Sequence, residues 1–325
     1  YGEAVADYEK AALKYPDFPT VHRNLALAYY NVKKQPQRAY EEMEKAFALD
    51  ETDARVYLEL DQLKKRLNVA VKERWSDMEK HFDLVESRDD LYLEYVTLLN
   101  TLGEPEKALG LIKARKFHQW EGGEGKVAAQ YLTALYQLAK AAVEKEDYAE
   151  AKELLLRAVG EYPHNLGEGK LESGQENNLY YLLGLAQEKL GEAKDAFESL
   201  TRACCGESEP VGMMYYNDQP PEMIYYQGLA YRMLGEEEQA VRRFQKLVDY
   251  GREHIGDEIK IDYFAVSLPD LLIFEENLNE RNRKHCLFMM SLGLRGLGQT
   301  DEAKACAEEL LSMDNAHQGI RVHDL

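Results

Sequence analysis

Cysteine is scarce in this chain. It has four in 325 residues (Cys204, Cys205, Cys286 and Cys306), too few for a disulfide scaffold. Two of them are adjacent, which makes no C-x-x-C redox or metal motif, so a reducing compartment, the cytoplasm, is expected. Positive charge is also in short supply: 40 Lys+Arg stand against 59 Asp+Glu, a formal charge of −19. With no basic cluster, a surface that tracks nucleic-acid phosphates is excluded, and so is a basic face for anionic lipid. No uninterrupted apolar run approaches the roughly 18 residues that span a bilayer. No signal-type apolar stretch opens the chain, which starts at Tyr1 without a methionine. It therefore reads as a piece of something longer. Alternation of apolar and polar residues at period two is almost absent as well, which disfavours β-sheet.

What is present is a repeat. Small residues are followed by a large apolar residue four positions on and a small or apolar one seven positions on. The triplets are Ala4, Tyr8, Ala11; Ala39, Met43, Ala46; a degenerate Arg74, Met78, His81; Ala108, Ile112, Arg115; Ala151, Leu155, Ala158; Ala196, Leu200, Ala203; Ala240, Phe244, Leu247; and Ala303, Ala307, Leu310. Their first residues lie 35, 35, 34, 43, 45, 44 and 63 apart. A period near 34 therefore runs through the first half and is later lengthened by insertions. Upstream lies a second signature: Gly228, Tyr231 and Gly235 before Ala240, Gly184 and Gly191 before Ala196, Ala26 and Tyr29 before Ala39, and Gly298 before Ala303.

This order of small residue, aromatic, turn glycine and alanine resembles the tetratricopeptide repeat (TPR). The expected fold is all-α, an α-solenoid of about seven and a half helical hairpins. Helix A presents a small residue where helix B crosses, and glycine makes the turn between them. Residues 1–117 are expected to form regular repeats. Residues 118–325 are expected to carry inserted loops at 118–127, 164–178, 205–222 and 252–282 within one continuous solenoid. Such repeats bury their apolar faces only against neighbours and leave a concave surface lined by the A helices.

The fifth residues of the A helices are Arg23, Leu93, Tyr136, Tyr181, Tyr225 and Phe288, and the ninth are Leu27, Thr97, Lys140, Leu185, Leu229 and Leu292. The Lys/Asn clamp with which some TPR proteins hold a C-terminal carboxylate is absent. Instead Tyr136, Tyr181, Tyr225 and Phe288 form an aromatic stripe. It is either covered by the inserted loops or open as a stacking face for a peptide or sugar.

The first two insertions echo each other. His118 is followed by Gly-Glu-Gly-Lys ending at Lys126, and His164 by Gly-Glu-Gly-Lys ending at Lys170, 44 residues later. Neither is a phosphate loop: Trp120 and His164 stand where the first glycine belongs, Val127 and Leu171 where Ser/Thr belongs, and no strand precedes. His118, Glu121 and Glu124 lack the helical spacing of a zinc protease. No metal, cofactor or catalytic set is expected.

A saccharide or partner site would use His118, Trp120, Glu121, Glu124, Lys126, His164, Glu168, Lys170 and Asp218. The alternative makes the loops braces, in which case Trp120→Ala costs stability while Glu124→Gln and Glu168→Gln do little. In both cases the twin loops should lie side by side near Tyr136 and Tyr181, with their His, Glu and Lys side chains facing a shared cavity.

The phrases FHQWEGGEGKV (117–127), PHNLGEGKLESGQEN (163–177) and KIDYFAVSLPDLLIFEENLN (260–279) resemble the C-terminal TPR region of large bacterial proteins. In those proteins a β-sandwich domain of unknown function precedes the repeats, often beside carbohydrate-utilisation genes. The resemblance implies a scaffold that docks its own N-terminal domain or another protein. An accessory part of a carbohydrate-active enzyme is the second reading.

Overall fold

The computed structural model describes residues 2–120, 122–160, 162–170, 174–212, 218–260 and 273–323. Among them are seventeen α-helices and one 3-10 turn, with no strand. The chain divides into two compact units, one of Tyr1–Leu98 with Leu271–Asn277 and the other of Leu99–Asp270 with Leu278–Leu325. The fold is all-α and of the α-solenoid class.

The first unit begins with α1 (Gly2–Lys14), which supplies the half repeat. The A/B pairs α2 (Pro19–Asn31) with α3 (Pro36–Leu49) and α4 (Ala54–Arg66) with α5 (Val71–Lys80) follow, then the short α6 (Phe82–Ser87) and α7 (Asp89–Thr101). In the second unit come α8 (Pro105–Ala114), α9 (Lys126–Glu144), α10 (Tyr148–Val159), α11 (Asn177–Lys189) and α12 (Ala193–Ala203). They are followed by α13 (Pro221–Met233), α14 (Glu237–His254), α15 (Leu278–Gly296), α16 (Thr300–Met313) and the single-turn α17 (Gln318–Val322).

Local chemistry starts these helices where the sequence marks them. Pro19, Pro36, Pro105 and Pro221 occupy first turns, where a missing N–H costs nothing and φ is already helical. Asp53 caps α4 by accepting from the amides of Arg55 and Val56 at 2.9 and 3.1 Å, and Asp147 caps α10 through Glu150.

One backbone device recurs in every hairpin. The A-to-B turn contains a left-handed residue: Lys34, Asn68, Gly103, Glu146, Gly191, Gly235 and Gly298, with φ between 54° and 81°. Glycine fills four of the seven, which is why only part of the series is visible in sequence. Glu146 is exposed, with φ 60°. Its left-handed strain is ~1–2 kcal/mol, against roughly 0.4–1 kcal/mol of extra unfolded-state entropy for glycine. Glu146→Gly is expected to stabilise the protein by about 0.5–1 kcal/mol, read by denaturant titration; a destabilised variant would mean that the Glu146 side chain contributes to the fold.

The triplet residues lie at helix crossings. Ala39, Ala108, Ala151 and Ala240 are fully buried, as are Met43, Ile112, Leu155 and Phe244. In the degenerate triplet Arg74 and Met78 are buried and His81 is half-buried. Arg74 replaces the alanine and is 1 % exposed; its guanidinium meets Asp61 through Nε and Nη2 at 3.0 and 2.6 Å and Glu94 through Nη2 at 2.7 Å.

Candidate functional site

The twin loops lie side by side. The amide of Phe117 donates to the carbonyl of Asn165 at 2.8 Å, and a Cβ added at Gly167 would fall 2.7 Å from the Phe117 carbonyl oxygen. Three of their polar side chains face solvent, where a shared cavity was expected. His118, Glu124 and His164 are exposed and Lys126 is half-buried. Trp120 is half-buried with its indole against Gly123, where an added Cβ would fall 2.2 Å from Cε2. Asp218 is half-buried, and Glu121 lies outside the described residues.

The second loop is a hub of helix caps. Helix α9 begins at a left-handed Gly125 and has no cap of its own. Glu168, about forty residues on, supplies it: its carboxylate accepts from the amides of Gly125 and Ala128 at 2.7 and 2.8 Å. A carboxylate there also meets the positive end of the helix. Asn165 caps the other polarity, its side-chain amide donating to the carbonyls of Ile112 and Arg115 at the end of α8. Lys170 donates to the Val159 carbonyl at the end of α10 and to Glu176, both at 2.8 Å. Burial pushes the Glu176 carboxyl up, against the pull of Lys170.

Asparagine repeats the C-terminal role elsewhere. Asn177 donates to the carbonyls of Ala203 and Cys205 after α12, and Asn282 to His254 at the end of α14. Insertion and repeat are thus stitched by side chains capping helices distant in sequence. Under the bracing reading Glu168 is therefore itself expected to matter for stability. Glu168→Ala is expected to cost about 1–2 kcal/mol, the usual worth of a helix cap with its charge. Glu124→Ala serves as the control in the same melt; equal effects would rule out the cap.

The aromatic stripe does come together, around a residue the sequence reading passed over. Tyr226 of α13 lies 5.5 Å from Tyr181, 5.3 Å from Tyr225 and 6.1 Å from Tyr136, centroid to centroid. Tyr136, Tyr225 and Phe288 are buried and Tyr181 is half-buried. Burial raises the Tyr181 hydroxyl to about 12 and lifts Tyr226 well above the usual tyrosine value.

The chain's own C-terminal segment covers this face. The Tyr226 hydroxyl bonds Nδ1 of His323 at 2.8 Å and also meets the Tyr136 hydroxyl. The His323 imidazole is ringed by Tyr136, Tyr226 and Phe288 at 5.7, 5.4 and 6.5 Å. Gln318 and Gln130 exchange reciprocal amide bonds at 3.1 Å. Lys140, which the sequence reading placed ninth in its A helix but which lies late in α9, donates to the Val322 carbonyl at 3.3 Å. The one sequence signal for these additions was the tyrosine pair at 225–226.

The first unit holds a comparable contact with a non-helical segment of chain. Asn31, at the end of α2, donates to the Ile273 carbonyl at 2.8 Å and accepts from the Glu275 amide at 2.9 Å. Tyr30 meets Phe274 edge-on at 5.1 Å, Phe274 is buried, and Lys34 pairs with Glu275. The same unit has an open cavity of about 620 Å³ lined by residues of mixed charge, among them Lys64, Lys72, Glu73 and Asp77. None of the sequence-selected residues lies in it. No group of three or more His, Cys, Asp or Glu residues among the described residues could hold a metal ion. No helix among them is long and apolar enough to cross a membrane.

Models of the tetratricopeptide repeat match residues 136–210, 222–250 and 285–317. Tetratricopeptide repeats are detected in these three segments. The matches cover the second unit's pairs from α9 to α16, where glycine turns and small crossing residues are most regular. The whole chain is similar to the P58(IPK) TPR domain, with 17 % identity over 94 % of this chain and 76 % of that one and a TM-score of 0.34. Yeast Tom70 matches with 10 % identity over 99 % of this chain and 57 % of its own, at a TM-score of 0.39. YrrB, described as a TPR protein with an unusual peptide-binding site, matches with 17 % identity over 75 % of this chain and 97 % of its own, at 0.27.

Proposed function

We propose that this TPR chain is a protein-interaction scaffold whose second unit binds a peptide segment of a partner along the aromatic face built on Tyr136, Tyr181, Tyr226 and Phe288. One observation carries the reading: the A helices bring these rings to one surface, and the segment lying on it here is itself polypeptide, held by backbone-directed and side-chain hydrogen bonds. Repeat arrays place binding residues on this surface because it is the one their stacking leaves unpaired. The partner is another protein or a further domain of the same bacterial polypeptide, for which the β-sandwich implied by the sequence resemblance is the candidate. Four free thiols fit a cytoplasmic setting.

The saccharide reading has less support. His118, Glu124 and His164 are exposed, and the Glu168 carboxylate is already used on two helix amides. A random-peptide display library panned against the full chain carrying Ile320→Asp and Val322→Asp, which free the face, tests the proposal. Selected peptides should lose binding when Tyr181→Lys is added. Failure to select any peptide, or selection indifferent to Tyr181, would refute it, and a glycan array on the same variant reports the saccharide alternative.

A further inference from the structure

The segment from Gln318 to His323 is recognised in more detail than an end cap requires. A cap needs only to cover apolar surface, and Ile320 and Val322, 2 % and 7 % exposed, do that. The remaining contacts are selective. The Tyr226 hydroxyl bonds both the Tyr136 hydroxyl and the His323 Nδ1 in a buried setting, so a residue without a polar ring atom at that point loses a buried hydrogen bond. The reciprocal amide pair with Gln130 accepts a primary amide at position 318. At 319 the Phe288 ring leaves no room for a side chain, since an added Cβ would fall 2.6 Å from Cζ. Arg321, by contrast, is exposed and turns back to the Asn315 carbonyl.

Resting on the peptide-binding reading above, we propose that this segment is a tethered stand-in for the partner's docking sequence. The partner then offers the pattern Gln-Gly-aliphatic-any-aliphatic-His, its imidazole seated among Tyr136, Tyr226 and Phe288. Asp314 to His317, four residues, tether the segment to α16. A tether that short gives an effective concentration on the order of millimolar. The tail therefore competes with any partner, and the apparent affinity of the face falls by the fraction of time it is open.

The test uses a fluorescein-labelled peptide of residues 314–325, titrated by anisotropy into the intact chain and into the full-length Ile320→Asp/Val322→Asp variant. The freed variant is expected to bind at least about tenfold more tightly than the intact chain, as release from an effective concentration in the millimolar range implies. Peptides carrying His323→Ala or Gly319→Leu should bind the freed variant at least about tenfold more weakly, the size of one lost buried hydrogen bond or one steric clash.

A second variant changes no contact: roughly twenty Gly/Ser residues inserted after Met313 lower the effective concentration, and it too should bind the peptide more tightly than the parent. If neither variant binds the peptide while both keep the parent's circular dichroism and melting temperature, the tail is a fixed cap and the proposal falls. Display-selected peptides that bind through Tyr181 but do not match the tail would sink this inference while leaving the interaction reading intact.

Discussion

Replacing Arg74 with methionine is expected to destabilise the first unit by about 3–5 kcal/mol, because it strands buried acids without their cation. Arg74 has a fully buried side chain and Asp61 one only 4 % exposed. Burial already pushes the Asp61 carboxyl up despite the guanidinium beside it. Glu94 is held down at about 2: burial works against its charge, but Lys65 and Arg74 outweigh it. When Arg74 is lost, Asp61 has no cation in hydrogen-bond reach, whereas Glu94 keeps Lys65 at 3.4 Å. The double variant Arg74→Met/Asp61→Leu should therefore recover most of the loss, since a buried ion pair replaced by apolar residues of similar size is often neutral or stabilising. Guanidinium denaturation of the two variants decides it. A double variant no more stable than Arg74→Met would show that the network contributes net stability rather than mere mutual dependence.

A loss of about 3–5 kcal/mol is also expected for Phe244→Ala in the second unit. Phe244 fills a slot made by two glycines on neighbouring helices. A Cβ added at Gly228 of α13 would fall 2.4 Å from its Cε1, and one at Gly296 of α15 would fall 2.2 Å from its Cδ1. The ring is fully buried and also lies under the Arg232 guanidinium. Gly228→Leu, expected to cost about 1–3 kcal/mol by overpacking, should cost much less in the Phe244→Ala background, where the slot is empty. That coupling, measured as a double-mutant cycle, separates steric complementarity from any general intolerance of α13; strict additivity would contradict the slot.

The same positions show why part of the architecture was legible in the sequence. Gly228 and Ala240 recur because two backbones can approach only where side chains are small, and that demand repeats with the hairpin. The turn glycines Gly191, Gly235 and Gly298 carry the same signal, yet Lys34, Asn68 and Glu146 adopt the same left-handed turn without glycine, so the series looked broken. Arg74 read as a degenerate repeat because its partners, Asp61 and Glu94, lie 13 and 20 residues away and meet it only once three helices are in register.

The candidate site divided along similar lines. The Gly-Glu-Gly-Lys echo correctly indicated neighbouring loops, since equal spacing in a repeat means adjacency in space. What the Glu168 carboxylate does there depends on packing across about forty residues, and composition alone suggested a ligand. The aromatic stripe could be read from helix positions. Its cover could not, because α17 is a single turn and too short for periodicity to reveal a buried face.

The most direct test of the claim that this aromatic face holds a protein segment is the proton NMR shift of the His323 ring in the intact chain, assigned by loss of the signal in His323→Asn. With Tyr136, Tyr226 and Phe288 around it, the account predicts ring-current shifts well away from random-coil values that collapse to them in Ile320→Asp/Val322→Asp. Random-coil shifts for His323 in the intact protein would contradict it.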